Sequence, residues 1–233
     1  MNSPAFEDLG RIPYADALNR QRQAHADVAA GHNPGTVFLL EHDPVVTIGR
    51  RRQGRQNLIV SEAQLAEAGV DLAGTDRGGD ITYHGPGQLV VYPVLPLRPY
   101  KLDLKPYIRL LEDTIIQTLG RFNIIAHRDR TAVGVWVGGD IETSPDSGQP
   151  VCTGGGAKIA AIGVRIQRWI TMHGLALNVT TNLNHFDLIV PCGLAGRSVT
   201  SMQQVLAQSC PTMSQVKHTI SDVLRAKLAQ CVT

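Results

Sequence analysis

The sequence predicts an α+β fold: a mixed β-sheet with helices packed on it. Three observations carry this. Apolar runs of strand length fill the middle of the chain. Amphipathic helical stripes stand towards its two ends. The two kinds of segment do not alternate in the regular order of a βαβ repeat. With 233 residues, 43% hydrophobic and 18% charged, the chain can bury a sizeable core, and disorder is excluded as its main state. No linker composition divides it, so residues 1–233 read as one domain.

The elements follow in order. Tyr14–Ala30 starts after Pro13, ends before Gly31, and sets Tyr14, Ala17, Leu18, Ala24 and Val28 on one helical stripe. Thr36–Leu40 and Val45–Ile48 are apolar runs separated by Asp43-Pro44, hence two strands. Ser61-x-x-Gln64 has the form of a capping box, opening a short helix that ends at Gly69. Leu89–Val94 reads as a buried strand. In Pro106–Leu119 the proline suits a first helical turn, Ile108, Leu111, Ile115 and Leu119 share a face, and Gly120 closes the helix. Ala132–Val137 alternates as a strand. Gly138–Gly156 is polar and Gly-rich, which predicts a loop. Ile159–Ile166 and Trp169–Val179 are strands joined at Gln167-Arg168, and Ser201–Gln208 and Ser214–Gln230 are helices split by Pro211.

Composition excludes several functions. Lys plus Arg is 22 and Asp plus Glu 20, a net charge of +2, which argues against a nucleic-acid binder. Arg50, Arg51, Arg52 and Arg55 form the one basic cluster. The longest apolar stretch, Leu89–Leu97, is broken by Pro93 and Pro96 and falls short of the roughly 20 residues of a membrane span. The N-terminus resembles neither a signal nor a transit peptide, so a cytoplasmic protein is expected. Cys152, Cys192, Cys210 and Cys231 show no Cys-x-x-Cys spacing and read as free thiols. Neither a phosphate loop of the G-x-x-x-x-G-K-[ST] type nor a Rossmann fingerprint occurs, and Ile159 stands where GGGAK would need a hydroxyl.

Three segments carry chemistry. RGGDITYHGPGQ, residues 77–88, sets four glycines beside Arg77, Tyr83 and His84. Such glycines let main chain approach a ligand, and free N–H groups in such turns bind oxygen. Lys158 heads the apolar stretch IAAIGV, where burial disfavours an ammonium and suits a general base. A strand-flanking lysine with its head in solvent has the same pattern. Cys192 stands in a Pro-Cys-Gly turn after the apolar run Leu188–Val190, a place where turn N–H groups favour a thiolate. A buried inert thiol is the plainer alternative. Cys152, six residues before Lys158, is its one rival, and His84, His173 and His185 are candidate partners for a thiol.

In order along the chain, RGGDITYHGPGQLVVYPVLPL, GAKIAAIGVRI, HGLALNV and PCGL resemble the lipoyl(octanoyl) transferases, over about residues 36–198. The resemblance implies the catalytic-domain fold of biotin and lipoate protein ligases, with C-terminal helices at about 201–231. It implies transfer of an octanoyl or lipoyl group from acyl carrier protein to a lysine of lipoyl domains, those of 2-oxoacid dehydrogenases and the glycine cleavage H protein. It implies no metal, no cofactor, no nucleic acid and no membrane. By the same resemblance Cys192 is the acyl-carrying nucleophile and Lys158 the residue that activates it. Arg77, Gly78, Gly79, Asp80, Ile81, Thr82, Tyr83 and His84 line the acyl site, with Ala161, Ile162, Gly163, Gly174, Leu175 and Ala176. Competing readings are an ATP-dependent ligase of the same fold, a non-catalytic acyl- or carrier-binding module, and a cysteine hydrolase using His84 or His173. The arginine cluster is the expected landing site for an acidic carrier protein.

Overall fold

The computed structural model describes residues 3–50, 54–190 and 196–232. In chain order the strands are β1 (Ala5–Ile12), β2 (Thr36–His42), β3 (Val45–Ile48), β4 (Asp71–Gly74), β5 (Ile81–His84), β6 (Gln88–Val94), β7 (Ala126–Asp129), β8 (Val135–Val137), β9 (Asp140–Thr143), β10 (Pro150–Gly154), β11 (Ala157–Gln167) and β12 (Ile170–Asn178). The helices are α1 (Tyr14–Ala29), α2 (Glu62–Glu67), α3 (Leu104–Gly120), α4 (Met202–Leu206) and α5 (Met213–Gln230).

Nine strands form one mixed sheet in the order β1-β2-β6-β12-β11-β8-β7-β10-β9. The β1–β2 and β7–β10 pairs are parallel and the other neighbours antiparallel. Strand side chains alternate between faces, and here both faces are covered. Val37 and Leu39 of β2, Leu89 and Val91 of β6, and Leu175 and Leu177 of β12 meet α3 and α5. Phe38, Leu40, Val90, Tyr92 and Ala176 turn the other way, to Ala17, Ala24 and Val28 of α1. A sheet buried on both faces needs apolar residues at consecutive positions, which is why β2 and β6 read as unbroken apolar runs. Each such side chain fully buried contributes about 1.5–3 kcal/mol.

A second sheet, β4-β3-β5, stands beside the first. Val46, Ile81 and Tyr83 pack there with Leu65 of α2 and with Phe186 and Ile189 in a small core of their own. The capping box at Ser61 and Gln64 is present, and a second one, Thr212 with Gln215, starts α5.

The sequence expectations fail mainly at the sheet edges. Residues 138–156, expected to be a loop, hold β9 and β10. All four residues of β9 are exposed, and β10 buries only Val151 and Cys152, so an edge hairpin carries loop-like composition. β1, equally polar, gave no strand signal. Residues Ala132–Val137 form a strand only from Val135, because Asp129 Oδ1 accepts the Thr131 and Ala132 N–H groups in a turn. The β11–β12 turn falls at Arg168-Trp169, one residue later than expected, with both residues at positive φ. Helix α4 stops at Leu206, where Ala207 takes φ +50°. On α1 the buried stripe includes Gln21, fully enclosed, while Leu18 is half-buried.

Candidate active site

A cleft opens between β5 and the β11–β12 pair, with Tyr14 of α1 in its lining. Alternation on β5 decides which motif residues reach it. Ile81 and Tyr83 point into the small core, while Thr82 and His84 line the cleft. On the opposite wall Ala161 pairs with Ala176 and Gly163 with Gly174. These small residues leave the space that larger side chains would fill. Arg77 is buried and held from the small sheet: its Nη2 donates to Thr47 O at 2.8 Å and to Thr47 Oγ1 at 2.9 Å. Gly78 and Asp80 line a neighbouring groove instead. Asp80 accepts from Asn57 at 2.6 Å.

One wall is locally strained. His173 lies inside β12 yet takes φ +58°, in the left-handed region. Its N–H goes to Gln21 Oε1 of α1 at 2.7 Å rather than along the ladder, which accounts for a buried glutamine in a helix core stripe. Its Nε2 donates to Asp76 at 2.8 Å, and Arg165 pairs with the same carboxylate. At Gly174 a Cβ would stand 2.1 Å from Val91 O and 2.8 Å from the Pro93 ring. Main chain cannot yield as a flexible side-chain tip can. Gly174→Ala is therefore expected to cost about 3 kcal/mol or more, roughly 6–12 °C of melting temperature for a chain this size. Thermal unfolding checks this; an unchanged melting temperature would contradict the packing.

Buried polar groups along the cleft are wired in series. His84 Nδ1 donates to Gln88 Oε1 at 2.7 Å. Gln88 Nε2 donates to Asn178 Oδ1 at 2.9 Å, Asn178 Nδ2 to Thr200 O at 3.0 Å, and Thr200 N–H to Lys158 O at 2.9 Å. Burial, joined by the like charge of His42, holds His84 well below the ordinary histidine range, so its imidazole is neutral. Burial likewise pushes His42 down to about 4. Its Nδ1 faces Ile12 O at 3.1 Å and its Nε2 the Tyr92 hydroxyl at 2.8 Å.

The sign of the His42 effect is fixed. Between about pH 6.5 and pH 4 the unfolded chain binds a proton at this site and the folded one does not, so stability falls as pH falls through that window. The full contribution, about 3 kcal/mol, is present above the unfolded value. Melting temperature should drop steadily from pH 7 to pH 4.5, and His42→Gln should flatten the slope. An equal slope in both proteins would remove His42 as its source.

A smaller recess adjoins the cleft, sharing Thr82, Ala161 and Ala176 with it, and Lys158 lines it. Lys158 is buried, and its Nζ stands 4.9 Å from the centroid of the Trp136 ring. Its N–H binds Ser198 O at 2.9 Å. Lys158 also lines an open groove shared with Gly78, Ile108 and Val133. Cys192 and Gly193 lie outside the described residues, as do Arg51 and Arg52. The flanks are described: Val190 N–H binds Asn57 O at 2.7 Å, and residues 198–200 bind the main chain of Lys158.

The remaining candidates separate by burial and bonding. Cys152 is fully buried, its thiol directed at Gly138 O and Gly154 O. His185 binds the Tyr83 hydroxyl at 2.8 Å, at the edge of the small core. The Gly78 N–H, a candidate oxyanion donor, is already bound to Val164 O at 2.9 Å. Arg55 pairs with Glu62. Motif reading missed Tyr14, Tyr92, Gln88 and Asn178 as lining residues. Gln88 and Asn178 carried a signal, since each is a polar residue at the end of an apolar strand motif; Tyr14 carried none.

Comparison with known proteins fits this geometry. The family profile of the lipoyl protein ligase A/B catalytic domain matches residues 13–225. An octanoyltransferase of Bacteroides fragilis is 41% identical over 226 residues, 95% of this chain and 96% of that protein. One of Acidobacterium capsulatum is 44% identical, covering 90% of this chain and 84% of that one. One of Myxococcus xanthus is 42% identical over 95% of this chain, which spans only 58% of that longer protein. Among solved structures, lipoate-protein ligase A bound with ATP superposes with TM-score 0.70 at 16% identity, over 98% of this chain and 86% of that one. A biotin protein ligase of Aquifex aeolicus in complex with biotin and ATP reaches 0.56 at 11%, over 97% and 71%. At such identities these structures show the shared fold alone. Set beside the cleft between the two sheets, the profile and the relatives show that the chain belongs to the lipoyl protein ligase A/B catalytic-domain family, as one of its octanoyltransferases.

Proposed function

We propose that this acyltransferase works as one catalytic domain, residues 1–233, by a cysteine thioester. It takes octanoyl from acyl carrier protein and delivers it to a lysine of lipoyl domains, those of 2-oxoacid dehydrogenases and of the glycine cleavage H protein. The observation that supports this best is the setting of Lys158. It is buried where an apolar recess meets an open groove, and its main chain is bonded to residues 198 and 200, shortly after Cys192.

In this reading Lys158 takes the proton of Cys192, and the thiolate attacks the donor thioester carbonyl. The tetrahedral oxyanion is held by main-chain N–H groups, with Gly79 and Gly193 the candidates once Gly78 is occupied. The carrier thiolate leaves with the proton from Lys158. A neutral target amine then attacks the octanoyl-Cys192 thioester, an amide forms, and the amine proton passes through Lys158 to restore the Cys192 thiol. Burying the alkyl chain in the cleft contributes about 5 kcal/mol at about 0.8 kcal/mol per methylene. Amide formation from a thioester is downhill, so no nucleotide is consumed. Free thiols suit the reducing cytoplasm, and no described helix is long and apolar enough to cross a membrane.

The test is transfer without nucleotide. Octanoyl-acyl carrier protein, a lipoyl domain and the enzyme, free of ATP, should give an octanoylated domain. Labelling only with ATP and free octanoate would establish the ligase reading instead. Release of free octanoate without an acceptor would establish a hydrolase.

A further inference from the structure

Arg197 stands five residues beyond Cys192 and makes contacts that no step above uses. Its guanidinium carbon is 3.5 Å from the centroid of the Trp136 ring, and its Nη2 donates to Asp129 Oδ2 at 2.6 Å. These partners come from two adjacent strands, with β10 beside them. Asp129 ends β7, Trp136 is central in β8, and Cys152 of β10 pairs with Asp129 in register.

The socket is built rigidly. The Asp129 side chain is 1% exposed, and its second oxygen accepts from Thr131 N–H at 2.8 Å, from Thr131 Oγ1 at 2.8 Å and from Ala132 N–H at 2.9 Å. Burial pushes this carboxyl up, yet the bonds from Arg197 and Thr131 outweigh it and hold the group ionised below its usual range. A Cβ at Gly139 or Gly156 would come within 2.9 or 2.8 Å of the Cys152 sulfur, so the main chain closes tightly over the thiol. The edge hairpin thus lies beside Asp129, with which Cys152 pairs.

The other side of this socket is Lys158. Lys158 and Trp136 are cross-strand partners, and the Lys158 Nζ lies over the same indole ring that carries Arg197. Directly after Arg197, Ser198 O and Thr200 N–H bond the main chain of Lys158. A planar guanidinium can stack on a ring and hydrogen-bond a carboxylate at once; an ammonium cannot do both.

We propose that Arg197 is a positioning residue for octanoyl transfer: seated by Asp129 and Trp136, it holds residues 197–200, shortly after Cys192 in sequence, against the main chain of Lys158. The inference rests on the Cys192–Lys158 reading above.

The test is single-turnover acylation by octanoyl-acyl carrier protein, read by intact mass. Arg197→Ala should acylate at least tenfold more slowly than wild type, at unchanged half-saturating donor concentration and with a melting temperature within a few degrees. Free guanidinium at millimolar concentration should restore part of that rate. Acylation at the wild-type rate, or a loss that guanidinium does not restore, would overturn the proposal. If Arg197→Ala does not fold, Arg197→Lys keeps the charge beside Asp129 without the stacked plane. Tenfold slowing at unchanged donor KM then supports the proposal, and the wild-type rate overturns it. Mapping the wild-type adduct separates the two readings: an octanoyl group on a residue other than Cys192 refutes the nucleophile assignment and this inference with it, whereas an adduct on Cys192 leaves the variants to test Arg197 alone.

Discussion

Cys192→Ser is expected to lower octanoyl transfer by about 10³-fold or more, because a serine hydroxyl at its ordinary acidity replaces a thiolate as nucleophile. The fold should be untouched: the segment carrying Cys192 is tied in at Val190 and again at residues 198–200 by main-chain bonds that the substitution leaves in place. The assay is steady-state transfer to a lipoyl domain, with melting temperature as control. Cys152→Ser, by contrast, should retain most activity, since that thiol is fully enclosed. The reverse result, an active Cys192→Ser and a dead Cys152→Ser, would exchange the two roles.

Lys158→Ala should lower kcat by about 10²–10⁴-fold, the usual range for removing a general acid–base group. Both half-reactions should suffer, because the same nitrogen serves the donor thiol and the acceptor amine. Donor KM should change little, since most of the acyl cleft is lined by other residues. Lys158→Arg should fail to rescue, because a guanidinium keeps the charge but cannot give up its proton at neutral pH. Rescue by arginine would show that Lys158 acts as a fixed cation. Measuring acylation and discharge separately in single turnovers decides this.

The interior of the fold was legible in the sequence and its margins were not. β2, β6 and β12 are covered on both faces over much of their length, so burial writes itself as apolar runs. α3 and α5 show their apolar stripes for the same reason. β1, β9 and much of β10 meet solvent, and their polar residues carry no strand signal. At the site, the glycines and polar residues of the RGGDITYHGPGQ stretch marked a binding surface, yet only β5 pairing shows that Thr82 and His84 face the cleft while Ile81 and Tyr83 do not. The Gln21–His173 bond joins residues 152 positions apart. No local pattern announces it, nor the left-handed residue inside β12 that requires it. The Arg197 socket escapes for the same reason, since Asp129 and Trp136 become neighbours only when two short strands, β7 and β8, pair.

The central claim is a covalent octanoyl-Cys192 intermediate formed without nucleotide. The most direct measurement incubates the enzyme with octanoyl-acyl carrier protein alone, records intact mass, maps the modified peptide, and then adds a lipoyl domain. The account predicts one octanoyl group on Cys192 that disappears as the domain's lysine gains it. An enzyme that transfers octanoyl yet carries no adduct, or carries it on another residue, would contradict it.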